Sequence, residues 1–524
     1  MRRLALDSLA LVGVFAVLLL LHSSFLALPY FWDEAGYYIP AALDIYSDWQ
    51  LVPTSTLPTG HTPLLMIYLA LVWKLFGFSP LVTRTAMVLI AAATVTTTYA
   101  LARRVVDREP AVWACALLAL SPMFFAQSTM VFLDLPAALF TTMAIIALLD
   151  GRMVMYAVVA SLAVLTKETA AVILPVAWVW ARWRSPKRFG GRQNNAASKA
   201  EAELPHSKRR GQAPPLWWVA LVAPIIPLAA WTIYYHHKTG FWTGNAEYLQ
   251  FNLYSTLDPG RFFWTLLRRL YEVFVGGFNW VLVLGAALGA WWGAKTNRRG
   301  AEALRDSGSF SWLAAGLLGA YILMLSVVGG AVLPRYLLPI VPLFILLAVM
   351  FVWQLPRVFA RAACGVTLAA FIAAWFINPP YPFPYEDNLS YADFIRLHQD
   401  AARYLESRLP GERILTAWPA TDELARPWLG YVSKHLSVVP LKGFTAGDFE
   451  EVSQDNFELL YVYSRKWEPI NNWLDRLPLF RRAQERHYGY APQISDEELA
   501  ARFHLKLLKQ FERRGQWARI YRKQ

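Results

Sequence analysis

Runs of apolar residues recur along the first 378 positions, near 9–28, 63–77, 82–102, 111–127, 133–149, 153–166, 169–181, 216–235, 277–293, 311–329, 336–353 and 362–377. A run of roughly 20 residues crosses a ~30 Å hydrocarbon core as a helix at about 1.5 Å per residue. A soluble fold has too little interior to bury so many, and the chain is 56% hydrophobic with only 17% charged residues, where soluble domains carry about a quarter. The sequence therefore predicts a polytopic helical membrane protein. Arg2 and Arg3 precede the first run. Small residues from Ser24 to Ala27 leave a cleaved signal peptide as the alternative, but the many spans that follow favour a retained anchor. Cys115 and Cys364 sit in separate apolar runs and offer neither a disulfide framework nor a thiolate metal site.

Charge sets the orientation. The net +13 lies almost wholly on residues 1–378, with 29 Lys+Arg against 17 Asp+Glu, while 379–524 carries 21 against 20. Basic loops beside membrane helices explain that excess, and no nucleic-acid domain is expected. If 63–77 crosses the membrane, Arg103, Arg104 and Arg108 fall outside the cytoplasm with the later basic loops. If it does not, the loops 101–110, 182–215, 294–309 and 354–361 all become cytoplasmic. The second arrangement obeys the positive-inside rule, and 63–77 opens at Pro63 and carries Lys74, which suits an interfacial helix.

The expectation is about eleven transmembrane helices in an inner (plasma) membrane, with a cytoplasmic N-terminus. A transmembrane domain over 1–378 then includes a first outer loop, 29–80, with interfacial helices, and a flexible cytoplasmic loop at 182–215. Residues 379–524 read as an extracytoplasmic α/β domain: segments 391–408, 421–429 and 445–453 look helical and alternate with short apolar runs at 413–417, 436–440 and 459–462. The last 24 residues are basic and suggest contact with anionic headgroups or a solvated helix face.

Charged residues at outer boundaries are the candidate site. The loop PYFWDEAGYYIPAALDIYSDWQLVPTSTLPTGHT contains Asp33, Glu34 and His61 and no Lys or Arg. Adjacent carboxylates at a membrane surface suit a proton acceptor, the alternative being a merely solvated acidic loop. Asp134 stands among apolar residues at the outer end of two spans, where a carboxylate needs a partner or caps a helix. Lys167 beside Glu168 either meets a lipid phosphate or pairs with its neighbour. Arg335 opens an apolar run on the side where positive charge is scarce, as a phosphate ligand or a snorkelling cation. In YYHHKTGFWTGNAEYLQFN, His236, His237 and Glu247 could ligate metal, while Asn245 and Asn252 could donate hydrogen bonds to sugar hydroxyls.

WDEAGYY, HTPLLMIYLALVWKLFG, RTAMVLIAAATVTTTYALARRV, LDLPAALF, LTKETA, HHKTGFWTGN and PRYLLPIVP together resemble the GT-C superfamily of polyprenyl-phosphate-sugar-dependent glycosyltransferases. Within it they are similar to bacterial relatives of protein O-mannosyltransferases, lipid A aminoarabinose transferases and rhizobial lipopolysaccharide-core transferases. The resemblance runs in order through about residues 1–355. It implies that Asp33 is the general base with Glu34 beside it, that Asp134 is a second acid near the active site, and that Lys167 and Arg335 face the lipid phosphate. Where the aminoarabinose transferases carry Glu-Lys before a Pro pair, this chain has His61-Thr62-Pro63, a departure at the metal and phosphate position.

The expected activity is an inverting transfer of a hexose or pentose from a polyprenyl-phosphate carrier to a hydroxyl of a glycan, lipid or protein on the outer face. Asp33, Glu34 and Asp134 are the candidate catalytic residues, and Lys167, Arg335, His61, His237, Asn245 and Tyr336 the candidate substrate-binding residues. A divalent metal is left open, with Glu34, His236 and His237 as candidate ligands. The rival reading is a transporter or flippase, against which stand nearly uncharged spans and the absence of a visible repeat.

Overall fold

Backbone surrounded by apolar side chains must satisfy its own hydrogen bonds, and the described residues up to Ala374 do so chiefly by winding into helices. The computed structural model describes residues 2–183, 215–296, 308–450, 452–469 and 473–524. Residues 184–214, which hold nearly all of the expected flexible loop 182–215, lie outside the described residues. The first third comprises α1 (Arg2–Leu21), α2 (Ile39–Asp48), α3 (Leu64–Phe76), α4 (Pro80–Ala102), α5 (Arg108–Leu120), α6 (Pro122–Gln127), α7 (Asp134–Leu149), α8 (Met153–Thr166) and α9 (Ile173–Trp183). α7 packs between α4 and α8, and α1 lies against α4.

Among the described residues, six helical stretches are long and apolar enough to cross a membrane: Pro80–Ala102, Trp217–Thr239, Pro259–Thr296, Gly308–Val327, Pro334–Val352 and Arg357–Ala374. Shorter apolar helices are Leu9–Leu21, Leu64–Phe76, Asp134–Leu149 and Met153–Thr166. Large apolar side chains such as Val154, Ile226, Trp312 and Val358 face outward, as a lipid-facing surface requires.

Three expected spans have a different form. Run 111–127 breaks at Ser121, which is extended at ψ 138° because Pro122 disfavours the helical region in the residue before it. Run 169–181 opens with a 3-10 turn, Glu168–Val172, before α9 begins. Run 277–293 belongs to a longer stretch that bends at Gly277, where φ is +58°. Helix Pro259–Phe274, before that bend, has an outward face of Phe263, Leu267 and Phe274 and an inward face of Arg261 and Arg269.

The tail is α/β. Strands β1 (Ile414–Ala417), β2 (Val438–Leu441), β3 (Leu459–Tyr463), β4 (Leu505–Arg513) and β5 (Gln516–Lys523) form one sheet in the order β2-β1-β3-β5-β4. β1 is parallel to β2 and β3, and β5 runs antiparallel to β3 and β4. Helix Ser390–Arg408 packs on β4 and β5. The expected helix 445–453 is only a 3-10 turn, Ala446–Phe449, and 421–429 divides into helix Ala420–Ala425 and the turn Pro427–Leu429.

The basic C-terminal end is a β-hairpin rather than a helix face. Arg514 and Gly515 both have positive φ, the geometry of a two-residue turn that matches the twist of its strands. The sheet domain meets the helical part near the first loop: the Tyr431 hydroxyl donates to the Tyr30 carbonyl at 2.9 Å, and the backbone N–H of Tyr30 to that of Leu429 at 3.5 Å.

Candidate active site

A cavity of about 620 Å³ opens where the first loop, the start of the 3-10 turn after α8, helix Ala246–Asn252 and the turn Pro334–Ile340 converge. Asp33, His61, Lys167, Glu168, Arg335 and Tyr336 are among its polar lining residues, and Leu249, Leu253, Leu325, Val328 and Leu333 among its apolar ones. Trp32, Tyr37 and Trp418 add an aromatic wall, the last supplied by the sheet domain.

Asp33 and Glu34 are neighbours in sequence but not in role. Successive side chains on a helical turn project in different directions, and only Asp33 reaches the cavity. Glu34 is fully buried against Arg84, with Oε2 3.2 Å from Nη2. Its carboxylate also accepts from the backbone N–H of Phe31 at 2.7 Å and of Val131 at 2.6 Å. Arg84 in turn donates to the carbonyls of Leu28, Pro29 and Thr129. Glu34 is thus committed to holding the first loop on α4, away from the cavity.

Arg335 is the hub of the cavity floor. Its Nη2 bonds to Asp33, its Nη1 lies 2.6 Å from Glu386 Oε2, and its Nε stands 3.8 Å from Asp134 Oδ2. The guanidinium carbon sits 3.8 Å from the centre of the Phe132 ring, which supports the buried charge through its π face. Asp134 lies just behind the cavity wall and binds Lys167, with Nζ 2.5 Å from Oδ1. The Lys167 ammonium also lies 4.1 Å from the centre of the Tyr336 ring.

Lys167 and Glu168 do not pair with each other. Lys167 turns to Asp134, and Glu168 accepts from His61 Nδ1 at 3.0 and 3.1 Å. Asn245 lines the cavity, but its side-chain oxygen caps helix Ala246–Asn252 by accepting from the Tyr248 N–H at 2.8 Å. Asn252 likewise serves backbone, accepting from the Gly330 N–H at 3.0 Å and donating to the Tyr248 carbonyl at 3.2 Å.

The metal candidates are not assembled. Glu34 is held by Arg84, His236 stacks on Trp242 with ring centres 4.0 Å apart, and His237 is exposed outside the cavity. Among the described residues no group of three or more His, Cys, Asp or Glu is placed to hold a metal ion. These three residues therefore do not fit a common metal.

Two participants escaped the sequence reading. Glu386 follows the last apolar run in PYPFPYEDNLS, an acid pair after a span just as in WDE, which was the available signal. Arg84, near the start of the apolar run 82–102, was the counterpart of the Arg335 signal.

The geometry can bring an anion to buried cations beside a carboxylate able to accept a proton. Residues 60–190 match the family model described as dolichyl-phosphate-mannose-protein mannosyltransferase. The fold is similar to that of ArnT from Cupriavidus metallidurans bound to undecaprenyl phosphate, at 13% identity and a TM-score of 0.52, covering 99% of this chain and 98% of that one. The apo state of the same protein aligns at 14% identity and a TM-score of 0.50, with the same coverage. A comparison with curated protein sequences gives no match. The matched family segment thus lies within a fold that this chain shares with ArnT along nearly the whole length of both chains.

Proposed function

We propose that the protein is an inverting glycosyltransferase that moves a sugar from a polyprenyl-phosphate carrier to an acceptor hydroxyl on the outer face of the membrane. The observation that carries this reading is the convergence of Asp33, Lys167 and Arg335 on one cavity that is also lined by apolar side chains. The structurally similar ArnT is bound to undecaprenyl phosphate, which supports a carrier of that class.

In this mechanism the acceptor oxygen attacks the anomeric carbon from the face opposite the phosphate. The new C–O bond forms as the bond to the phosphate oxygen breaks, and the hydroxyl proton passes to Asp33 as general base. Arg335 and Lys167 stabilise the charge growing on the departing polyprenyl phosphate; Arg offers a fork of donors and Lys a point charge. One attack on one face inverts the anomeric centre. Residues 1–378 form the transferase unit in this scheme, and 379–524 lie outside the membrane beside the cavity mouth.

The test is release of undecaprenyl phosphate from undecaprenyl-phosphate sugars by the intact protein in nanodiscs, with and without surface glycans as acceptors. Acceptor-dependent release with inverted product stereochemistry is expected. Movement of the lipid between leaflets with no bond broken would instead establish a flippase.

A further inference from the structure

The polar lining of the cavity and its immediate support hold more negative than positive charge. Two cations, Arg335 and Lys167, serve three carboxylates, Asp33, Asp134 and Glu386. With every group ionised, this set carries one net negative charge before any ligand enters. A sugar phosphodiester would add another, in surroundings that penalise unpaired charge heavily. Carboxylates crowded around one cation do not all remain ionised in such a place.

Among the three, Glu386 is the one suited to hold a proton. Asp134 has Lys167 as a close partner, and the Asp33 side chain is 20% exposed to the cavity. The Glu386 side chain is only 4% exposed, and its Oε1 is buried with no hydrogen-bond partner. An ionised oxygen left bare in that way is costly, whereas a protonated carboxyl tolerates it better.

The groups around Glu386 reinforce this. Arg335 approaches from the turn Pro334–Ile340, Asp33 from the first loop and Asp134 from α7. Gln127 of α6 donates to the Glu386 carbonyl at 3.2 Å. Asp387 follows in sequence and brings in Arg268 and Glu272 of helix Pro259–Phe274 as its own charged neighbours. Helix Ser390–Arg408 meets this turn through the Phe394 ring on Tyr385. Burial outweighs the attraction of Arg335, and the Glu386 carboxyl is pushed up to about 7.

We propose that Glu386 is a positioning residue whose uptake of a proton from solvent accompanies donor binding, freeing the Nη1 edge of Arg335 to grip the donor phosphate. No covalent bond changes in this step: one proton enters with one phosphodiester, and the net charge of the site is conserved. The inference rests on the reading of Arg335 as a phosphate ligand.

The sign follows from linkage. The proton favours binding, so affinity is fully present below the carboxyl's own titration and falls by about tenfold for each pH unit above about 7.

The probe is the methyl ester of undecaprenyl phosphate, a phosphodiester with one negative charge throughout the range tested. Its affinity for the intact protein in nanodiscs is read by tryptophan fluorescence from about pH 6 to about pH 9. Wild type should show the tenfold slope, and Glu386→Gln should match wild type at the acid end and stay flat. A flat wild-type profile, or an unchanged slope in Glu386→Gln, overturns the proposal. Calorimetry of wild type near pH 8, in two buffers of different ionisation enthalpy, tests it without a variant: uptake of about one proton per lipid supports it, and none overturns it. Arg335→Ala separates the two readings. Wild-type affinity there removes the phosphate site itself, whereas lost affinity alongside a flat wild-type profile removes only the role of Glu386.

Discussion

Lys167 and Asp134 form a buried ion pair, Nζ to Oδ1 at 2.5 Å, that ties the end of α8 to the first residue of α7. Their side chains are 8% and 3% exposed, so neither charge has water to fall back on. Removing one partner of such a pair typically costs about 3–5 kcal/mol because the other charge is stranded. Lys167→Met should therefore lower thermal stability in detergent sharply, and Lys167→Met with Asp134→Leu should recover most of it. Donor binding should stay lost in both if Lys167 holds the phosphate. Recovery of donor binding in the double variant would make Lys167 purely structural.

Asp33 and Glu34 should separate in the same assay. Asp33→Asn keeps the side-chain shape and removes a proton acceptor, so turnover should fall by about 10²–10⁴-fold with folding intact. Glu34→Gln leaves Arg84 without its counter-charge, so thermal stability should fall, while the protein that folds keeps turnover within a few-fold of wild type. Full activity in Asp33→Asn, with none in correctly folded Glu34→Gln, would reverse the assignment.

Much of this site was legible as single charges at apolar boundaries, because a buried charge is expensive and so stands out in sequence. Asp33, Asp134, Lys167 and Arg335 were found in that way. Their pairing was not legible, since it depends on which helix ends meet: Lys167 chose Asp134 over the adjacent Glu168, and His61 took Glu168. Strands β1, β2 and β3 followed from short apolar runs between polar segments. The hairpin of β4 and β5 was hidden because its charged residues resemble a solvated helix, and the decisive cue was the Arg514-Gly515 turn. Glu386 lay beyond the resemblance, which ended near residue 355.

Gly36 provides a probe of the contact between the sheet domain and the first loop. A Cβ at that position would come within 2.7 Å of the Trp418 indole, far inside van der Waals contact. Overpacking of this kind costs about 1–3 kcal/mol. Gly36→Ala should lower the melting temperature, and Trp418→Ala in the same chain should relieve most of the added loss. Additive effects of the two substitutions would show that Gly36 and Trp418 do not constrain each other.

The basic loops predict the sidedness. Single cysteines are introduced at Ser198 and at the exposed Ser453 in a background lacking Cys115 and Cys364. In intact cells an impermeant thiol reagent should modify position 453 and spare 198 until the membrane is opened. Modification of both from outside ends the arrangement with residues 182–215 in the cytoplasm.

Arg335→Lys isolates geometry from charge. Arg335 holds Asp33 with one terminal nitrogen and Glu386 with the other, which a planar fork can do and a single ammonium cannot reproduce in the same geometry. Lysine at this position should satisfy one carboxylate and leave the other buried without its donor. Affinity for a polyprenyl phosphodiester should therefore fall by about tenfold or more even though the formal charge is kept, consistent with the cost of about 1.5–3 kcal/mol for a lost charged hydrogen bond. Turnover should fall further, because Asp33 loses the contact that orients it. Unchanged binding and turnover in Arg335→Lys would mean that charge alone suffices, and the fork would have no part in the site.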